Sequence, residues 1–266
     1  MIELGNETIQ VKIDLENGAR LSSVKWNGYE FAVGFRGNPL TWGWFSMAPF
    51  AGRIRNGIIK DSKANSFQLP NKSHPPHAVI GFGATSKWED LGNGAQLLKL
   101  PEPFSGASVI QKFTISNNSL KWSLEYQANG CDLPVTLGFH PWIARDIGFG
   151  PNAQINFRAE KMFRRGDDYL PTGELIKPTP PPWDDTFTEL RDTPEIIWPG
   201  KAKLQMKASS PYFMLYSQDS EGICFEPVTA PPDAQNLGIS GSRQIEAVIE
   251  FCGDFQSQTL AQFERK

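Results

Sequence analysis

The sequence predicts an all-β protein, and three observations predict it. Apolar and polar residues alternate with a period of two in segments spread from end to end, the pattern of half-buried strands. Asn-Gly pairs, which reach positive φ cheaply and suit tight hairpins, punctuate those segments. No long run carries a convincing helical period.

Taken in order, Ile9, Val11, Ile13 and Leu15 alternate with Gln10, Lys12 and Asp14 and predict the first clear strand. Glu16-Asn17-Gly18 and Trp26-Asn27-Gly28 supply the next turns. Residues 34–57, rich in Gly, Trp and Phe and containing Pro39 and Pro49, predict a long loop. Gly92-Asn93-Gly94 marks another turn. Phe113 and Ile115, then Trp122, Leu124 and Tyr126, flank Ser116-Asn117-Asn118-Ser119 and predict a hairpin. After the turn at Ala128-Asn129-Gly130, an apolar alternating run spans Leu133 to Trp142. Residues 171–186 hold Pro178, Pro180, Pro181 and Pro182, which lack the ladder donor of a central strand, and predict a second long loop. Ile245, Ala247 and Ile249 alternate near the C-terminus. Neither loop is polar or low-complexity enough for a tether, so one domain over residues 1–266 is expected. Nothing repeats at a fixed short period, which argues against a propeller or solenoid.

Composition narrows the function. A chain of 266 residues is compatible with one large sandwich. Its 24 glycines and 21 prolines favour turns over long helices. With 26 Lys+Arg against 29 Asp+Glu there is no basic surplus to neutralise a phosphate backbone, so no nucleic-acid partner is expected. The N-terminus lacks a basic region followed by an apolar one, and nowhere do about 18 apolar residues run together. A soluble, cytoplasmic protein without a membrane partner is the expectation. Cys131, Cys224 and Cys252 are odd in number and lack CxxC spacing, which argues against a disulfide framework and a Cys-based zinc site.

Chemistry concentrates in a few segments. His74-Pro75-Pro76-His77 puts two imidazoles three apart, but the prolines extend the backbone and no suitably spaced carboxylate completes a metal site, so no metal is expected. In Leu137-Gly138-Phe139-His140-Pro141-Trp142 a histidine at the end of an apolar run is locked by proline; a core histidine satisfied by a carbonyl is the alternative. In Cys224-Phe225-Glu226-Pro227 alternation puts Glu226 on the face opposite Phe225, either paired structurally or poised as a base. Gly52-Arg53 offers a guanidinium fork beside a glycine. Trp183-Asp184-Asp185-Thr186 reads as a capped turn or a polar contact.

Together and in this order, the segments resemble the aldose 1-epimerase (galactose mutarotase) family. The resemblance starts at Asn17-Gly18-Ala19-Arg20-Leu21 and continues through Gly52-Arg53-Ile54, His77, Leu133–Trp142 and Asp184–Phe187. It ends with Glu226-Pro227 and Pro232-Asp233-Ala234-Gln235-Asn236. It implies a large antiparallel β-sandwich, the galactose mutarotase-like supersandwich, with no metal or organic cofactor and a monosaccharide as partner, in a monomer or homodimer. It implies Glu226 as general base at the anomeric hydroxyl and His140 as general acid at the ring oxygen. His77 would assist near that oxygen, with Arg53 and Asp184 holding sugar hydroxyls. Trp42, Trp44 and Trp142 are candidates to pack on a pyranose, against a default of ordinary core.

The chain also departs from the family pattern. Gly52 stands where many members carry Asn before the arginine, His77-Ala78 where His-Gly is usual, and Met214 where a sugar-binding glutamine is common. Two lost hydrogen-bonding side chains, about 0.5–1.5 kcal/mol each, leave the choice of sugar open. A hexose-6-phosphate mutarotase, a sugar-binding relative without catalysis, and a cupin-like metal enzyme using His74, His77 and His140 are the alternatives. The last lacks its HxH spacing.

Overall fold

The computed structural model describes residues 1–148 and 150–253, and the expected domain end beyond residue 253 lies outside them. Among these residues the regular structure is strand, with three 3-10 turns and no α-helix. One sheet of eleven strands runs in the order Ile2–Gly5, Ile9–Asp14, Arg20–Trp26, Trp44–Met47, Gly138–Ala144, Gly222–Val228, Tyr212–Tyr216, Asp184–Leu190, Ala159–Arg165 and Pro171–Ile176, with Tyr29–Glu30 paired to its side. A second, of eight, runs Glu89–Gly92, Ala95–Lys99, Ser108–Ser116, Ser119–Gln127, Gln244–Cys252, Ala202–Ala208, Glu195–Trp198 and Gln154–Asn156. Neighbours in both sheets are antiparallel. The molecule is all-β, as the alternation predicts, and an antiparallel β-sandwich, as the family resemblance implies.

The turn chemistry follows the sequence. Asn27 and Gly28 have φ of 49° and 85°, and Asn93 and Gly94 have 52° and 76°, the paired positive values of a hairpin turn that matches strand twist. Inner faces of the two sheets meet in one apolar cluster reaching from Ile9 to Phe251. Trp122 of the smaller sheet packs on Phe139 of the larger, ring centroids 4.3 Å apart. A polar tie crosses the same interior: Gln111 accepts the Ser46 hydroxyl at 2.6 Å and donates to the Ala19 carbonyl at 2.7 Å. Each of those buried groups is thereby satisfied.

Two loop expectations need correction. Residues 34–57 include Trp44–Met47, a fully buried central strand, and the short strand Arg53–Ile54. Trp44–Met47 is covered on both faces, so its sequence shows no alternation to betray it. Residues 171–186 include the strand Pro171–Ile176 and the start of Asp184–Leu190. Pro171 is tolerated because it opens a strand at the edge of its sheet. The proline run from Pro178 to Pro182 does lie between strands.

Register then decides which side chains share a face. Gly138 pairs with Val228 and Trp142 with Cys224, which sets His140 beside Glu226. Glu226 pairs with Met214, Cys224 with Tyr216, and Tyr216 in turn with Asp184. Direct partners point the same way, and neighbours along a strand point oppositely. His140, Trp142, Cys224, Glu226, Met214, Tyr216 and Asp184 therefore occupy one face of the large sheet. Phe139, Phe225, Leu215 and Phe187 fill the other, against the smaller sheet. Trp44 pairs with Pro141 and belongs to that inner face, fully buried, so it does not pack on a sugar. Trp44→Ala should cost about 3–5 kcal/mol, read as a lower urea midpoint. An unchanged midpoint would show that Trp44 does not belong to the core.

Candidate active site

On the outer face, four adjacent strands of the large sheet present a cleft of about 330 Å³. Arg53, His74, His140, Trp142, Asp184, Met214, Tyr216 and Glu226 line it, with Asn38, Thr41 and Gln218 at its polar margins. Four of the five expected site residues, His140, Glu226, Arg53 and Asp184, converge here. His77 does not line the cleft. Its Nδ1 accepts the Asn56 amide at 3.1 Å, where a tight turn puts Asn56 at φ 54° and leaves that N–H needing an acceptor. His74, its partner across the Pro75-Pro76 turn, faces the cleft instead.

His140 and Glu226 form the floor. His140 Nε2 lies 3.5 Å from Glu226 Oε1, with side chains 14% and 4% exposed. Phe45 stacks on the imidazole at 4.7 Å, and the buried Arg20 guanidinium lies 5.0 Å from the Phe45 ring centroid. Arg20 is held by the carbonyls of Asn17, Trp42 and Ala84. Burial, with the Arg20 charge adding to it, pushes the His140 pKa down to about 3. The imidazole Nδ1 has no hydrogen-bond partner among the described residues, so an imidazolium there would bury an unsatisfied N–H. Burial, and then the charge of Asp184, pushes Glu226 up to about 8, with Arg53 opposing. Between those two values the pair holds one proton, which the dry floor places on the carboxyl.

The wall is an ion-pair network. Asp184 Oδ2 lies 3.1 Å from Arg165 Nη1 and 3.7 Å from Arg53 Nη2, and Arg165 Nε lies 3.5 Å from Asp185. Both guanidiniums lie against the Tyr169 ring, at 5.6 and 5.5 Å. Arg165 and Tyr216 were not singled out from the sequence. Nothing near Arg165 in sequence marks it, whereas Tyr216 could have been found from the register of Met214 against Glu226. Trp142 lines the cleft, its indole N–H given to the Leu40 carbonyl at 2.8 Å, while Trp42 is buried under the Arg20 guanidinium.

Gly52 has a steric explanation. Its φ is 65°, and a Cβ there would sit 2.6 Å from Pro232 Cγ, with Met214 Sδ close behind. Pro232 and Met214 thus occupy the volume a side chain at position 52 would need, and this part of the wall is apolar.

Neither a protein-family model nor a curated protein sequence matches the chain. Solved structures do match. A protein from Escherichia coli K12 described as a candidate aldose 1-epimerase superposes with TM-score 0.79 at 16% identity, over 94% of this chain and 98% of that one. A galactose mutarotase-like protein from Clostridium acetobutylicum gives 0.76 at 14% identity over 94% of each chain. An aldose epimerase homologue from C. elegans gives 0.76 at 17%, over 95% of this chain and 98% of that one. The fold is galactose mutarotase-like. In this mutarotase-like frame the cleft lies on the outer face of the larger sheet.

The buried Glu226 has a stability signature. Its folded pKa stands above the ordinary carboxyl value of 4.5, so between 4.5 and about 8 the native chain binds a proton the unfolded chain has lost. Stability from this group is therefore present at acid pH and lost as pH rises through about 8. Glu226→Gln removes the titration, and its melting temperature should exceed wild type by a margin that grows from pH 5 to pH 8.5. A margin independent of pH would refute the buried-carboxyl assignment. Gly52→Ala should lower the melting temperature at every pH, since it combines left-handed strain with the Pro232 clash.

Proposed function

We propose that the protein is an aldose 1-epimerase-like isomerase, interconverting the α and β anomers of a free monosaccharide. The observation that carries this reading is the His140–Glu226 pair, 3.5 Å apart on the floor of an open cleft. Ring opening of a hemiacetal removes a proton from the anomeric oxygen and delivers one to the ring oxygen. A pair that holds one proton between two groups can do both, each worth roughly 10²–10⁴-fold. Opening starts from ionised Glu226 and protonated His140 and ends with both neutral. The dry floor favours that neutral pair, so burial helps the step that breaks the ring. Rotation about the C1–C2 bond presents the other carbonyl face, and the same groups in reversed roles close the ring.

The surroundings support a small, uncharged sugar. A volume of about 330 Å³ lies at the low end of small-molecule sites. Arg53 and Asp184 offer a donor and an acceptor to hydroxyls. Because Arg53 and Arg165 are paired with Asp184 and Asp185, the wall lacks the surplus positive charge that would grip a sugar phosphate.

Two-dimensional NMR exchange spectroscopy on glucose, galactose, xylose, arabinose and rhamnose tests the reading and ranks the sugars. Wild type should accelerate anomer exchange, and His140→Asn and Glu226→Gln should each lower turnover at least about 100-fold while staying folded. Arg53→Ala should chiefly raise KM. Line broadening from sugar binding without accelerated exchange would make this a sugar-binding relative. For the active enzyme, kcat/KM should be flat through neutral pH and fall as pH rises through about 8, when the pair loses its one proton. A rate that keeps rising above that pH would exclude the pair as the acid–base machinery.

A further inference from the structure

The mutarotase reading leaves one side chain directly beneath the cleft floor unused. Cys224 lies two residues before Glu226 on the same strand, so both project from the same face. His140 approaches from the neighbouring strand. One ligand atom from each, the Cys224 sulfur, a Glu226 oxygen and a His140 nitrogen, lie within 4.8 Å of one another. The His140 Nε2 to Glu226 Oε1 separation is 3.5 Å. Tetrahedral zinc with bonds of about 2.0–2.3 Å needs ligand atoms about 3.3–3.8 Å apart. One edge of that tetrahedron is already at length, and the sulfur has about an ångström to close.

A second observation points the same way. The Glu226 carboxyl is 96% buried by its side-chain surface and accepts no hydrogen bond among the described residues, its nearest partner being His140. Cys224 is fully buried just beneath that floor, in one apolar cluster with Phe45, Met47 and Met214. Two buried groups able to ligate, with ligand atoms within 4.8 Å of each other and neither hydrogen-bonded among the described residues, fit a cation better than they fit each other. A thiolate, an imidazole and a carboxylate are a donor set suited to Zn²⁺.

We propose that Cys224, His140 and Glu226 form a Zn²⁺ site at the floor of the cleft. Three protein ligands leave a fourth position open toward the cleft, as in sites where zinc keeps a water or a small molecule. Below about pH 8, binding takes up Zn²⁺ and releases two protons to solvent, one from Cys224 and the one held by Glu226. The ion occupies the acid–base pair, so zinc and sugar turnover exclude each other. That consequence rests on the mutarotase reading; the metal site itself does not.

Chelator-stripped full-length protein, kept reduced, is titrated with Co²⁺ alone and then with Zn²⁺. One equivalent of Co²⁺ should produce a thiolate-to-cobalt charge-transfer band in the near ultraviolet, and one equivalent of Zn²⁺ should erase it. Cys224→Ser should abolish the band and weaken Zn²⁺ binding at least about tenfold. Should that variant fail to fold, the wild-type spectrum still decides. A Co²⁺ complex lacking the thiolate band, or no Zn²⁺ binding at 100-fold excess over protein, overturns the site. The metal-free chain is assayed separately for anomer exchange. A thiolate band with no exchange would retain the metal site and remove the mutarotase reading. Exchange without the band would do the opposite. Where both hold, Zn²⁺ should suppress exchange, and a sugar that is turned over should raise the Zn²⁺ needed to do so.

Discussion

The site depends first on the register between the strands Gly138–Ala144 and Gly222–Val228. A strand alternates its side chains, so register assigns each residue either to the dry interior or to the cleft. Pairing Gly138 with Val228 and Trp142 with Cys224 puts Phe139 and Phe225 inside and His140 and Glu226 outside. A slip of one residue in one strand would put its functional side chain in the core and a phenylalanine in the cleft. The Phe139–Trp122 contact and the buried Phe225 make that slip costly, so the core enforces the geometry of the site. Between the two direct pairs lie Pro141 and Pro227, which have no N–H to give to the ladder. The sheet accepts two missing donors beside the very residues it positions, and packing on both faces holds the strands together there.

A second constraint is charge. An ionisable pair on a dry floor carries a desolvation cost, and nothing in the floor itself repays it. The nearby charges do not compensate either: Arg20 disfavours the imidazolium, and Asp184 disfavours the carboxylate. Arg53 alone leans the other way. The protein therefore maintains a neutral, singly protonated pair in a place where charge separation is expensive, and strong sites are often built where stability is given up. The ion pairs of the wall serve a different end. By binding Asp184 between Arg53 and Arg165, they fix a hydroxyl-sized donor and acceptor without leaving a net positive field.

Much of this architecture was legible in the sequence, for identifiable reasons. Strands with one wet face, such as Ile9–Asp14, Ser108–Ser116, Ser119–Gln127 and Gln244–Cys252, announce themselves by alternation. Trp44–Met47 is buried on both faces and carries no such signal, and for the same reason Trp44 was offered to the cleft when register turns it inward. Proline was read too strictly: it opens an edge strand at Pro171 and sits within central strands at Pro141 and Pro227. Of the residues expected at the site, His140, Glu226, Arg53 and Asp184 line one cleft. The exchange of His74 for His77 turns on a backbone amide at Asn56 that no sequence pattern reveals. Arg165 enters from the neighbouring strand Ala159–Arg165, and only the fold brings it to Asp184.

The proposed zinc site has no signature in cysteine spacing, for a related reason. Counting spacings asks whether ligands are close along one chain segment, and that test argues against a Cys-based metal site. A sheet brings ligands together differently, by i, i+2 spacing on one strand and by register on the next. Cys224 and Glu226 meet the first condition and His140 the second. Once the three are adjacent, the physics of the floor treats a proton and a metal ion alike. Burial that raises the affinity of Glu226 for a proton also leaves its oxygens without water, so any cation able to displace that proton finds a ligand already stripped. The proposed site has room for one cation on the cleft floor. On the proposed mutarotase reading, when that cation is a proton the pair can move it between two sugar oxygens, and when it is Zn²⁺ the pair can move nothing.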